Sequence, residues 1–110
     1  MNPPNTEAIA ELYATLLERK QADPGKSYVA SLYAKGADAI LKKIGEEAAE
    51  TIIAAKGSDK TALVHELADL WFHTLVLMAA YDIPLDALTA ELARRSGRSG
   101  LDEKASRSKD

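Results

Sequence analysis

The sequence contains no cysteine, which excludes disulfides and thiol chemistry and fits a reducing compartment such as the cytoplasm. Strand-favouring residues are sparse, whereas Ala, Leu, Glu and Lys are abundant. That balance is expected of an all-α protein. No apolar run approaches the roughly 20 residues of a membrane span, and Met1-Asn2-Pro3-Pro4 does not look like a secretion signal. Positive charge is not in excess either. A net charge of −3 argues against general nucleic-acid affinity. The 110 residues are expected to form a single domain, 1–110, small but able to bury a modest core.

What is present is helical periodicity. Asn5 or Thr6 can cap a first helix, in which Ile9, Leu12, Tyr13, Leu16 and Leu17 follow the i, i+3, i+4, i+7, i+8 stripe. Pro24-Gly25 ends that segment. A short helix is expected over Tyr28–Lys35, closed by Gly36, with Val29, Leu32 and Tyr33 on one side. A long helix follows from about Ala37 to Lys56, with a buried stripe of Ala37, Ile40, Leu41, Ile44, Ala48 and Ile52. Another runs from about Asp59 to Tyr81, with Leu63, Val64, Leu67, Leu70, Trp71, Leu75 and Met78 along its stripe. Phe72, Val76 and Leu77 add apolar surface outside that stripe, more than one neighbouring layer can cover, so a partner subunit is expected. Pro84 suits the first turn of a last helix with Leu85, Leu88 and Leu92 inside. Ser96 to Gly100 breaks it, and a polar tail occupies about 97–110. The expected architecture is an antiparallel bundle of about four main helices plus one short helix, completed by dimerisation.

Five carboxylates interrupt this pattern in two clusters, Glu46-Glu47-x-x-Glu50 and Glu66-x-x-Asp69. Surplus negative charge inside apolar helical sequence is costly unless a cation neutralises it. Residues three or four apart share a helix face, so each cluster can clamp an ion with two oxygens. If the chain folds back around Gly57-Ser58, Glu50 and Glu66 lie roughly 11 and 13 Å from the turn, and Glu47 and Asp69 roughly 16 and 17 Å. Two facing pairs result. Oxygen ligation suits Mg²⁺, with Mn²⁺ as the alternative, rather than zinc or copper.

The run Lys43-Ile44-Gly45-Glu46-Glu47-Ala48-Ala49-Glu50, followed by Glu66-Leu67-Ala68-Asp69-Leu70, resembles the E-E-x-x-E … E-x-x-D signature of the all-α nucleoside triphosphate pyrophosphohydrolases (MazG-like). The tail Arg95 to Arg107 and the segment Ser27 to Gly36 are similar to those of phosphoribosyl-ATP pyrophosphohydrolases in particular. The resemblance implies hydrolysis of phosphoribosyl-ATP to phosphoribosyl-AMP and pyrophosphate with Mg²⁺, the second step of histidine biosynthesis, by a stand-alone domain. It implies Glu47, Glu50, Glu66 and Asp69 as metal ligands, with Glu46 as the additional leading glutamate.

Cleavage between phosphates needs an in-line water and neutralised phosphate oxygens, so positioning and electrostatics supply most of the catalysis. Four carboxylates and a polyphosphate call for at least two ions at full occupancy. Glu46 or Glu50 can orient or deprotonate the attacking water. Substrate phosphates need cations, although most Lys and Arg side chains are solvated surface. Lys43 is suggested by proximity and Arg95 by its place before the glycine-rich turn, with Arg98 and Lys104 as further options. His73, one turn after Asp69, can extend the site as a donor, but such a histidine is more often structural. Trp71 and the tyrosines are more often core or interface residues than base-stacking platforms, Tyr28 being the one to watch. Two other functions remain open at this stage: a house-cleaning pyrophosphohydrolase for non-standard nucleoside triphosphates, and a non-enzymatic helical module with an acidic stripe.

Overall fold

The computed structural model describes residues 6–97 and 100–108; Asn5, Arg98 and Ser99 lie outside them. The described residues are all-α, as expected. The elements are α1 (Thr6–Glu18), a 3₁₀ turn (Arg19–Gln21), α2 (Tyr28–Lys35), α3 (Ala37–Lys56), α4 (Lys60–Ala80), α5 (Leu85–Arg95) and α6 (Gly100–Ser108). Caps explain the boundaries. Ser27 accepts the Ala30 N–H at the start of α2, and Asp59 accepts the Thr61 and Ala62 N–H groups at the start of α4. Gly36, at φ 98°, donates its N–H to the Leu32 and Tyr33 carbonyls and turns the chain directly into α3. The tail departs from expectation: α6 is helical where a polar, irregular end was anticipated.

α3 and α4 form the central hairpin, with α1 lying against α4 and α2 against α3. The core joins Tyr13 and Leu16 of α1, Val29 and Leu32 of α2, Ile40 of α3, and Leu75, Val76, Met78 and Ala79 of α4. Long-range hydrogen bonds fasten its end: the Tyr13 hydroxyl donates to the Ile83 carbonyl and the Tyr33 hydroxyl to the Leu16 carbonyl. Lys20 Nζ lies 2.6 Å from Asp82 Oδ1.

The buried face of α4 is only partly the expected one, with Leu75 and Met78 buried as anticipated. Val76 is fully buried and Phe72 packs beside the core, while Val64, Leu67 and Trp71 are exposed. Ile52 and Leu41 of α3 and Leu88 and Leu92 of α5 are exposed too. The reason is that α4 is apolar nearly all round, so periodicity does not choose its inner side. Contrary to the expectation from sequence, α4 is long and apolar enough, by length and composition, to cross a membrane, because Glu66 and Asp69 interrupt its apolar residues without outweighing them. The core helix of a soluble protein has the same character.

Candidate active site

The three-residue connection between α3 and α4 returns the chain so that Glu47 and Glu50 of α3 meet Glu66 of α4. One oxygen from each lies within 4.8 Å of the other two. Glu47 is only 5 % exposed, and Oε2 of both Glu47 and Glu66 is buried without a hydrogen-bond partner. A buried charge left unpaired costs several kcal/mol. A hard divalent cation would satisfy both orphaned oxygens and offset the repulsion among the three groups, and the all-oxygen donor set suits Mg²⁺ or Mn²⁺. The residues present therefore fit such an ion.

Asp69 forms a second group with Glu66 and His65, whose Nε2 is 3.4 Å from Asp69 Oδ2. Glu66 is common to both groups. Glu46 is exposed, and Lys43 Nζ bridges it to the buried glutamate, 3.5 Å from Glu46 Oε2 and 3.5 Å from Glu47 Oε1. Partial burial works against the Lys43 charge, but Tyr28, Glu46 and Glu47 outweigh it and hold its pKa above the ordinary lysine value.

His73 is buried, with both ring nitrogens engaged inside the chain. Nδ1 is 2.8 Å from the Asp69 carbonyl and Nε2 is 2.7 Å from the Tyr28 hydroxyl. A carbonyl only accepts, so Nδ1 carries the proton, and in the neutral ring Nε2 accepts from Tyr28. Phe72 and Tyr28 meet the imidazole edge-on, at centroid distances of 5.3 and 5.8 Å. His73 thus ties α2 to the carboxylate face of α4 and offers no free nitrogen to a ligand. Burial raises the Tyr28 pKa; Lys43 opposes this, and Glu47, Asp69 and Glu46 add to it. The hydroxyl accordingly lies within the electrostatic reach of the carboxylate cluster.

The basic residues anticipated near the C-terminus are elsewhere engaged or distributed. Arg95 Nε lies 3.2 Å from Glu91 Oε1, and Arg94 Nη2 lies 2.6 Å from the same oxygen. Lys104 is exposed on α6, and Arg98 lies outside the described residues. Two cations that periodicity did not single out, Arg19 and Lys26, line a cleft of about 550 Å³ with Ser27, Tyr28 and Phe72. Their only sequence signal is position, one on each side of Asp23-Pro24-Gly25 and just before α2.

Comparison with known proteins adds a family to this geometry. The family model for phosphoribosyl-ATP pyrophosphohydrolase matches residues 9–96, which include all five carboxylates and stop before α6. A protein of Aromatoleum aromaticum named phosphoribosyl-ATP pyrophosphatase is 57 % identical over 101 residues, covering 92 % of this chain and 94 % of that one. Proteins of the same name from Azoarcus sp. and Trichlorobacter lovleyi are each 56 % identical, over 92 % and 94 % of this chain and 94 % and 95 % of their own. A match of that extent, over a hairpin that brings Glu47, Glu50 and Glu66 together, leaves one conclusion: the chain belongs to the phosphoribosyl-ATP pyrophosphohydrolase family.

Proposed function

We propose that this protein hydrolyses phosphoribosyl-ATP to phosphoribosyl-AMP and pyrophosphate, with Mg²⁺ held by Glu47, Glu50 and Glu66 and approached by Asp69. One observation carries the metal reading: two partnerless carboxylate oxygens are buried where three carboxylates converge. When bound, the ion would neutralise phosphate charge and favour formation of a hydroxide nucleophile. Glu50, exposed at the rim, and Glu46 are placed to accept a proton from the attacking water. Lys43, already between Glu46 and Glu47, can turn its ammonium to a phosphate oxygen. Tyr28 and His73 hold α2 against this face. Arg95, Arg98 and Lys104 are kept as further phosphate contacts from the C-terminal end. The names of the relatives favour phosphoribosyl-ATP over a house-cleaning role on non-standard nucleotides.

Solvent-exposed Val64 and Trp71, which line one apolar hollow, support a homodimer in which a second copy covers them. The absence of cysteine and the biosynthetic role support a cytoplasmic location.

Glu50→Gln keeps side-chain volume and removes one ligand charge. It should lower kcat/KM for phosphoribosyl-ATP by about three orders of magnitude, or about 4 kcal/mol of transition-state stabilisation, with helical content unchanged. Near-normal turnover of Glu50→Gln at millimolar Mg²⁺ would overturn the ligand assignment.

A further inference from the structure

The cleft beside α2 differs in character from the carboxylate cluster it adjoins. Its volume is about 550 Å³, ample for a sugar phosphate. Arg19 and Lys26 stand on its wall, both exposed, and among the described residues neither is engaged in an ion pair. The one carboxylate lining it, Asp23, is turned into its own loop, where Oδ1 accepts the Gly25 N–H at 2.9 Å. Ser27 Oγ accepts the Ala30 N–H, which leaves its hydroxyl proton to give. Val29 and Phe72 supply an apolar floor. Tyr28 lies between this cleft and the carboxylate helix: it lines the cleft, and its hydroxyl reaches through His73 to the backbone carbonyl of Asp69.

Phosphoribosyl-ATP is itself two-ended. The anhydride to be cleaved lies at one end, and a ribose phosphate carried on the base lies at the other. Converging carboxylates hold the first end through a cation. They repel the second, which needs cations from the protein and a donor beside an apolar surface. Resting on the hydrolase reading above, we propose that the cleft lined by Arg19, Lys26, Ser27, Tyr28 and Phe72 binds the phosphorylated ribosyl arm of the substrate. Arg19 and Lys26 meet its phosphate monoester, and the sugar lies against Phe72. The site then measures the substrate from both ends. A nucleoside triphosphate without the second phosphate engages only the carboxylate end. Discrimination against ordinary nucleotides resides here, in residues that take no part in cleavage.

The test compares phosphoribosyl-ATP with ribosyl-ATP, the same molecule without the arm's phosphate. The wild-type protein should prefer the phosphorylated form by roughly 10- to 100-fold in kcat/KM, the range of one or two charge-assisted hydrogen bonds. An Arg19→Gln/Lys26→Gln double variant should lose that preference, chiefly through KM, while its rate on ribosyl-ATP stays within about twofold. Lys26→Arg should retain the preference. If the double variant keeps the full discrimination, or loses equally on both compounds, the subsite is overturned while the hydrolase stands. If the wild-type protein cleaves neither compound with Mg²⁺, the hydrolase reading and the subsite fall together.

Discussion

Glu66 belongs to both carboxylate groups, so its charge is repelled from two sides. Without divalent ions this is a liability, since one of its oxygens is buried and unpartnered. Glu66→Gln should therefore stabilise the ion-free protein by about 1 kcal/mol, or about 5 °C in Tm. The wild type should gain Tm on Mg²⁺ addition by mass action, and the variant should lose most of that gain. A wild-type Tm indifferent to millimolar Mg²⁺ would remove the ion from Glu66. The five carboxylates were legible because their spacing within an apolar pattern is conspicuous. The Tyr28–His73 pair was not, because it spans 45 positions and depends on how α2 docks. No spacing rule connects them.

At the scale of elements, α5 carries its own electrostatic support. Arg94 and Arg95 converge on Glu91, whose pKa falls to about 2 from the ordinary 4.5 through hydrogen bonds from both guanidinium groups. A depressed folded-state value means that the contribution is present above pH 4.5 and is lost as pH falls towards 2. The helical signal of the wild type should decline across that window more steeply than that of Glu91→Gln, and the difference should shrink in high salt. Identical acid profiles for the two proteins would mean that the triad contributes nothing. Some helix boundaries were readable because residue type announces them: Gly36 and Pro84 each stand at an observed end, whereas the Ser27 cap was not singled out. The inner face of α4 was not readable. Val64 and Trp71 match Phe72 and Val76 in hydrophobicity, and only docking against α1 and α3 separates them.

Taken as a whole, the molecule is more extended than a compact chain of its length. Its radius of gyration is 16.3 Å, against about 13 Å for a compact domain of about 100 residues. Trp71 is 58 % exposed between two apolar hollows, one of about 390 Å³ with Val64 and Leu67 and one of about 240 Å³ with Leu88 and Leu92. Such a surface suits the second apolar surface of the proposed dimer. Sedimentation at micromolar concentration should show a dimer, and Trp71→Asp should shift it towards monomer. A wild-type protein that sediments as a stable monomer would leave this face without its proposed occupant.

The turn at 57–59 is exposed, a place where insertions are ordinarily harmless. Here it sets which residue of α4 stands opposite which residue of α3. One added residue could rotate Glu66 by about 100° away from Glu47 and Glu50 while leaving the core side chains chemically unchanged. Apart from the Asp59 cap, drift at this surface turn is therefore constrained in length rather than in composition, and a deletion there would silence the enzyme without touching any residue that performs the reaction.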